Sequence, residues 1–233
     1  MSTSAPFPSL TQKWHTSPSV SISTSRPELS AKGKVVAITG GETGIGASIA
    51  RAFAEAGASA IAIIGRTEKT LLSAKASIEA SVHRSTVFPV KGDIVNNDSI
   101  TAAFTAIHER FGQVNIFVSN AGYLSRASSA GQTGIEDWWH GFEINVKGAL
   151  TATQAFLRVA ASDATVIDIS SAIAHINPIP GFSSYSASKL AGTKLFDYLQ
   201  AEYPHLHVVH VQPGIVETTL NKKSKIAALD DRK

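Results

Sequence analysis

The alternation of apolar and polar positions is the clearest signal in the chain from Lys34 onwards. Short runs rich in Val and Ile predict six β-strands, at Val35–Thr39, Ala60–Ile64, Thr86–Val90, Ile116–Ser119, Thr165–Ile169 and His207–Gln212. Longer stretches between them predict helices at Ile45–Ala56, Glu68–Ala80, Ser99–Phe111, residues 136–159 and Ser184–Glu202. A helix in each crossover predicts an α/β fold, with a doubly wound parallel sheet covered by helices on both faces.

Residues 1–30 differ in composition from the rest of the chain. Ser and Thr are abundant there, and prolines at four positions interrupt any helix. We expect a surface arm at 1–30, although a Ser-rich start is also found in organelle transit peptides. A single domain is expected at 31–233, because 233 residues with 43% hydrophobic positions suffice for one well-packed core.

Composition excludes several classes of protein. The 21 basic and 18 acidic residues give a net charge of +3, without a basic cluster dense enough to follow a nucleic-acid backbone. The chain has no cysteine and its histidines lack metal-ligand spacing, so no metal site is predicted. The longest apolar run, Ala58–Ile64, is too short to span a membrane. We therefore expect a cytoplasmic protein that binds neither nucleic acid nor membrane.

A glycine-rich segment, residues 39–46, follows the first predicted strand and leads directly into a helix. Glycines permit a tight turn and a close approach of the backbone to a pyrophosphate, which the helix N-terminus also attracts. This placement favours a dinucleotide site of the Rossmann type over the alternative, a glycine-rich turn without a ligand.

The end of the second predicted strand, Gly65-Arg66, bears on which dinucleotide is bound. Many enzymes that use NAD place an acid there to hold the ribose hydroxyls, whereas a guanidinium favours the 2′-phosphate of NADP. Arg66 therefore favours NADP(H) over NAD(H). Two alternatives, under which Arg66 does not select NADP(H), stay open. Either Glu42 in the glycine-rich segment repels the 2′-phosphate, or Arg66 is a solvated surface residue that does not contact the cofactor.

Polar residues also follow the later strands, and two of them form a pair of known chemistry. Asp93 and residues 120–122 are compatible with ordinary turns, yet they lie where a doubly wound sheet meets its cofactor. Tyr185 and Lys189 are four residues apart and share one helical face. A nearby ammonium lowers the pKa of a phenol toward the range of an acid–base catalyst. Asn145, taken alone, is compatible with a buried amide whose hydrogen bonds are satisfied.

Together these motifs resemble the classical short-chain dehydrogenase/reductase family over residues 34 to about 218. The matching positions are Thr-Gly-x-x-x-Gly-Ile-Gly at 39–46, Asp93, Asn-Ala-Gly at 120–122, Asn145, Ser171, Tyr185 with Lys189, and Pro-Gly-x-x-x-Thr at 213–218. The resemblance implies an NAD(P)-dependent enzyme that acts on a small-molecule ketone or secondary alcohol. Because the arm looks like an extension seen among fungal members, it also implies a role in fungal secondary metabolism.

The resemblance further implies a role for each matching residue. Tyr185 would be the general acid–base, Lys189 would lower its pKa and hold the nicotinamide ribose, and Ser171 would bind the substrate carbonyl. Asn145 would hold a water that links Lys189 to solvent. Residues implied in cofactor binding, besides Tyr185 and Lys189, are Gly40, Gly44, Ile45, Gly46, Arg66, Asp93, Asn120, Ala121, Gly122, Pro213, Gly214, Val216 and Thr218. A homodimer through the helices that contain Asn145 and Tyr185 is implied as well.

The sequence departs from the family pattern at its end. Few residues follow Thr218, whereas family members continue through a substrate-covering loop, another helix and a seventh strand. We therefore expect a six-stranded sheet in which His207–Gln212 is an exposed edge, unless the arm at 1–30 folds across it. The alternative function is a non-catalytic or degenerate dinucleotide-binding protein that lacks the substrate lid.

Overall fold

The computed structural model describes residues 19–82 and 85–224, and it confirms the six parallel strands. They are β1 (Val35–Thr39), β2 (Ala60–Gly65), β3 (Thr86–Lys91), β4 (Val114–Ser119), β5 (Ala160–Ile169) and β6 (His207–Val211). Their order across the sheet is β3-β2-β1-β4-β5-β6, and every neighbouring pair is parallel. The order reverses between β1 and β4, so a crevice for a ligand is expected beyond the carboxyl ends of these strands.

Helices cover both faces of the sheet, which confirms the doubly wound architecture. They are α1 (Gly44–Glu55), α2 (Glu68–Ser81), α3 (Asn97–Phe111), α4 (Ile135–Phe142), α5 (Ala149–Leu157), α6 (Ser183–Glu202) and α7 (Thr219–Ser224). One buried layer packs α1 and α2 against the sheet, and the other packs α3, α5 and α6. In the second layer Phe104, Phe117 and Phe156 are fully buried, and the rings of Phe117 and Phe156 stack with centroids 5.0 Å apart.

The helix predicted at 136–159 is not continuous. A π-helical segment, Glu143–Gly148, separates α4 from α5, and β5 begins at Ala160, earlier than the predicted Thr165. The early start follows from pairing, because Ala160 lies opposite Val114 ahead of an irregularity in the β4–β5 register. Neither the π-helical segment nor the early start of β5 can be recognised from the neighbouring sequence. A π-helical turn interrupts the helical period, and the extent of a strand depends on a partner that is distant in sequence.

The two edge strands of the sheet, β3 and β6, differ in character. β3 contains Pro89, which has no backbone N–H to donate and is tolerated on an edge strand. In the described part of the chain, β6 pairs only with β5, and Val211 is 37% exposed. Among the described residues β6 (His207–Val211) is therefore the last strand of the sheet, and the exposure of this edge stays a prediction.

The described part of the arm begins at residue 19 and contacts the C-terminal end of α1. It contains two short 3-10 helices, Val20–Ile22 and Pro27–Leu29. Thr24 Oγ1 donates a hydrogen bond to Glu55 Oε2 at 3.2 Å. The expectation for residues 1–18, including any path across β6, lies outside the described residues.

Candidate active site

The glycine-rich turn after β1 leaves a cradle at the start of α1. Gly40 and Gly44 adopt φ values of 63° and 51°, which side chains rarely tolerate. A Cβ on Gly46 would lie 2.2 Å from the Gly40 carbonyl oxygen, so only glycine fits there. The N-cap residue Thr43 makes no side-chain hydrogen bond to the helix. The open N-terminus of α1 and the close backbone approach therefore fit the pyrophosphate of a dinucleotide.

Asn120 fastens this turn to the end of β4. Its Nδ2 donates to the carbonyl oxygens of Thr39 and Gly40, at 2.9 and 3.1 Å. In return, the buried Thr39 Oγ1 accepts from the backbone N–H groups of Asn120 and Ala121, at 3.1 and 3.2 Å. Asn120 thus shapes the turn in this structure, whereas its implied part in cofactor binding stays a prediction. Thr39 belongs to the motif at 39–46 but was given no role of its own, because its contacts depend on a strand that is distant in sequence.

Glu42 and Arg66 lie near each other at the end of β2, close enough for the Arg66 charge to affect Glu42. The Glu42 carboxyl group lies over Gly65, where a Cβ would be only 2.4 Å from Oε1. Burial raises the pKa of Glu42, and a backbone hydrogen bond and the Arg66 charge partly offset that effect. Arg66 itself is exposed. The structure therefore brings together the two residues whose charges have opposite consequences for a 2′-phosphate.

The remaining predicted cofactor residues lie in loops around the same crevice. Asp93 Oδ1 accepts from the N–H of Val95 at 3.1 Å, an Asx-type turn after β3. In the loop after β6, Gly214 has a φ of 80°. Thr218 approaches the glycine-rich turn, since a Cβ on Gly44 would lie 3.1 Å from Thr218 Cγ2. The loop that carries Pro213, Gly214, Val216 and Thr218 thus reaches the start of α1, while Asp93 shows turn chemistry only.

The predicted catalytic side chains converge where β5 ends and α6 begins. Lys189 Nζ lies 5.9 Å from the centroid of the Tyr185 ring, so the spacing of four does place both on one face. Lys189 Nζ also donates to the Ile169 carbonyl oxygen at 2.7 Å. The Ser171 hydroxyl interacts with the Tyr185 phenol and accepts from the N–H of Ile173 at 3.4 Å. Tyr185 packs against a small apolar cluster of Leu124, Ile173 and Phe182.

The net pKa of Tyr185 is raised in this structure, so the lowering that Lys189 was expected to cause does not dominate and stays a prediction. Burial raises the pKa of Tyr185, and the hydrogen bond with Ser171 offsets this only in part. Lys189 is buried as well, which lowers the pKa of its ammonium, while Asp168 opposes that shift. Burial disfavours the charged form of both groups, and spacing along a helix does not reveal it. The site as described thus favours a neutral phenol, the form that can donate a proton.

Asn145 lies in the π-helical segment and joins three parts of the site. Its Oδ1 accepts from the N–H of Tyr123 at 2.7 Å, and its Nδ2 donates to the Tyr123 carbonyl and to Ser188 Oγ, both at 2.9 Å. A Cβ on Gly122 would lie 3.4 Å from Asn145 Oδ1 and 3.7 Å from Lys189 Nζ. Asn145 is therefore a satisfied buried amide and also a neighbour of the Tyr185–Lys189 pair. Its implied hold on a water stays a prediction.

Two polar clusters escaped the sequence reasoning. Tyr123 donates to Asp137 Oδ1 at 2.5 Å, and this bond raises the pKa of Tyr123. On the other side of the site, buried Asp168 contacts His210 Nδ1 at 3.0 Å. The only signal for either was position, since Tyr123 follows residues 120–122 and Asp168 lies near the end of β5.

A glycine-rich turn at the switch point of a sheet in the order 3-2-1-4-5-6 defines a Rossmann-type protein. Within that class, the short chain dehydrogenase family matches residues 34–228. The chain belongs to the short-chain dehydrogenase family. Members of this family are oxidoreductases that bind a nicotinamide dinucleotide and act on CH–OH and C=O groups.

Individual relatives agree with this placement. The chain is 36% identical over 192 residues to the short chain dehydrogenase tazN of Aspergillus terreus, covering 80% of this chain and 42% of tazN. It is 31% identical to the short chain dehydrogenase andI of Emericella variicolor, covering 81% of this chain and 67% of andI. The chain thus spans about two fifths to two thirds of the length of these curated relatives.

Solved structures show the same fold. An alcohol dehydrogenase from the archaeon Thermococcus sibiricus, complexed with 5-hydroxy-NADP, superposes with a TM-score of 0.76 at 28% identity, covering 82% of this chain and 80% of that one. A short-chain dehydrogenase/reductase from Serratia marcescens gives a TM-score of 0.76 at 26% identity, covering 82% and 78%.

Proposed function

We propose that the chain is an NADP(H)-dependent oxidoreductase that interconverts a ketone and a secondary alcohol. The observation that carries the proposal is the convergence of Tyr185, Ser171 and Lys189 at the carboxyl end of β5. That end of the sheet also carries the glycine-rich turn, which fits a dinucleotide. The bound nicotinamide would supply or accept the hydride, and the protein side chains would handle the proton.

Each side chain has a task that its surroundings support. Burial keeps the Tyr185 phenol protonated, so it can donate to a ketone oxygen that Ser171 orients. Lys189, held by the Ile169 carbonyl, is placed to hold the nicotinamide ribose beside the phenol. Asn145 keeps the backbone of Tyr123 and the Ser188 hydroxyl in position behind this pair. The apolar cluster around Leu124 would exclude water from the substrate carbon.

The preference for NADP(H) rests on Arg66. This guanidinium follows β2, at the place where an acid would otherwise select NAD(H). A charge-assisted hydrogen bond to the 2′-phosphate is worth about 10- to 150-fold in affinity. We therefore propose that NADPH binds at least about tenfold more tightly than NADH.

The proposal extends to partners and setting. A homodimer through the segment α4 to α5 and through α6 is supported by exposed apolar side chains on both, Trp139 and Leu150 on the first and Leu190 and Tyr198 on the second. The fungal sources of several relatives support a role in fungal secondary metabolism. Within the described residues, none of the helices has the length and apolar character that crossing a membrane requires. The cytoplasmic location stays a prediction.

Fluorescence titration and turnover test the proposal together. The 233-residue chain is titrated with NADPH and NADH, and oxidation of NADPH is then followed with a panel of ketones. We expect tight NADPH binding and turnover of at least one ketone class. Binding without turnover of any carbonyl, or of any alcohol in the reverse direction, would instead support the non-catalytic alternative.

A further inference from the structure

The space above Gly65 is filled by an acidic group from another part of the chain. A Cβ built on Gly65 would lie 2.4, 2.5 and 2.6 Å from Oε1, Cδ and Oε2 of Glu42. The Glu42 carboxyl group thus occupies the position from which an acidic side chain at residue 65 would start. Although β2 ends without an acid, a carboxyl group is present at its end, supplied by the glycine-rich turn.

This carboxyl group has unused hydrogen-bonding capacity. Glu42 Oε2 is buried and has no hydrogen-bond partner among residues 19–82 and 85–224. Such an atom normally costs free energy, unless a ligand provides the missing donor. Glu42 also lines an open cavity of about 390 Å³ between α1 and α2, together with Thr43, Gly44 and Ser73. A ligand at the start of α1 would therefore have room beside the Glu42 side chain.

The charged neighbours of Glu42 do not complete its hydrogen bonding. The Arg66 charge lowers the pKa of Glu42, but no hydrogen bond forms between Arg66 and the buried Oε2. Arg51, on the α1 side of the cavity, donates to Ser77 Oγ at 3.2 Å. A carboxylate beside a dinucleotide accepts hydrogen bonds from ribose hydroxyls and repels a phosphate on the same ribose.

We propose that Glu42 is a second determinant of cofactor choice, which accepts a hydrogen bond from the adenosine ribose of the dinucleotide and opposes Arg66. Glu42 replaces, from the glycine-rich turn, the acid that β2 lacks. The degree of preference for NADPH over NADH is therefore set by the balance of Glu42 against Arg66. The proposal rests on the dinucleotide site of the proposed function, but it does not depend on the chemistry at Tyr185.

Two dinucleotide fragments test it without any contribution from the nicotinamide. Calorimetry gives the Kd of ADP-ribose and of its 2′-phosphorylated form for the wild type, for Glu42→Gln and for Glu68→Gln. Glu42→Gln keeps the shape of the side chain and removes its charge. Glu68→Gln is the matched control, because it removes an equal charge from an exposed position two residues beyond Arg66.

For Glu42→Gln we expect ADP-ribose to bind about tenfold more weakly and the 2′-phosphorylated form to bind more tightly. The ratio of the two Kd values should then shift by more than about tenfold, and Glu68→Gln should shift it by less than about twofold. An unchanged ratio in Glu42→Gln would overturn the inference, even if the enzyme reduces ketones. Failure of both fragments to bind the folded wild type would overturn it as well. If instead the ratio shifts as expected and no ketone is reduced, the inference stands and the proposed reaction does not.

Discussion

The two ends of the candidate site differ in how their buried polar groups are satisfied. At the catalytic end, Asn145 makes three hydrogen bonds, and Lys189 donates to the Ile169 carbonyl oxygen. At the adenosine end, a buried oxygen of Glu42 has no hydrogen-bond partner in the described part of the chain, and Arg66 is exposed. The first end is organised before any ligand arrives, whereas the second leaves capacity that a ligand can use.

This difference separates two kinds of effect. Groups that are already positioned lower the barrier of a reaction, because little reorganisation is needed when charge develops. Groups with unsatisfied capacity gain from the ligand and therefore affect affinity and selectivity. Substitutions at the catalytic end should thus act mainly on turnover, and those at the adenosine end on binding and on the stability of the free protein.

The largest effect is expected at Tyr185. Tyr185→Phe keeps the ring that packs against Ile173 and Phe182 but removes the proton donor. Turnover of a good ketone should fall by about 10²- to 10⁴-fold, with little change in the Kd of NADPH. Stopped-flow turnover and fluorescence titration measure the two quantities separately. If Tyr185→Phe keeps most of the activity, the assignment of the proton donor is wrong.

Substitution of Lys189 should affect both turnover and cofactor binding. Lys189→Ala removes a group placed beside both the phenol and the expected nicotinamide ribose, so turnover and NADPH affinity should each fall about tenfold or more. The matched control is Lys194→Ala on the same helix, where the exposed lysine pairs with Asp197. Lys194→Ala should leave both quantities within about twofold. A Lys189→Ala protein that loses turnover alone would show that Lys189 does not hold the cofactor.

Much of the fold could be predicted from the sequence because its signals are local. β1 matches its predicted bounds, and the other strands and most helices differ by a few residues at their ends, since runs of Val and Ile mark strands that are buried on both faces. The π-helical segment at 143–148 could not be predicted, because it is a tertiary adjustment that brings Asn145 to Tyr123 and Ser188. The early start of β5 escaped for the same reason, since its partner is Val114.

The positions of the candidate site residues were easier to predict than their electrostatics. The Tyr185–Lys189 pair lies together as the helical period requires. The net pKa of Tyr185 lies above its ordinary value and not below it, because burial depends on what packs over the ring and not on the position of Lys189. The sequence also identified Glu42 as a residue that opposes Arg66. It did not reveal that the Glu42 carboxyl group fills the space over Gly65, which depends on side-chain packing between β1 and β2.

The raised pKa of Tyr185 makes the two reaction directions respond differently to pH. A phenol that stays protonated through neutral pH can donate in ketone reduction, so the reductive rate should be nearly flat there. Alcohol oxidation needs the phenolate, whose fraction rises about tenfold per pH unit below the pKa. Initial rates of oxidation should therefore rise steadily from about pH 7 to about pH 9.

Ser171→Ala sharpens this test. The Ser171 hydroxyl lowers the pKa of Tyr185, so its removal should move the oxidation profile to higher pH. Measurement at saturating substrate separates this shift from any loss of binding. An oxidation rate that reaches a plateau below about pH 8 in the wild type would show that burial does not control the phenol when the cofactor is bound.

The smallest expected effect lies at the adenosine end and concerns the free protein. Burial raises the folded-state pKa of Glu42 above its unfolded value, so the group favours folding when protonated and that contribution is lost as pH rises through the folded pKa. Glu42→Gln is neutral at every pH. Its Tm should therefore exceed that of the wild type by about 1–3 °C near pH 7.5 and match it near about pH 4.5, with the Arg66 charge limiting the gain.

The same variant links this stability effect to the ligand. NADH should raise the Tm of the wild type more than that of Glu42→Gln, because only the wild type has the carboxylate that accepts from the ribose hydroxyl. Glu68→Gln, at an exposed position in the first turn of α2, should show neither the pH-dependent gain nor the loss of NADH response. A Glu42→Gln protein that is equally stable at both pH values would show that the carboxyl group is solvated at the end of β2. The adenosine end would then hold no buried carboxyl group that lacks a partner. The predictions for Tyr185, Lys189 and Ser171 would be unaffected.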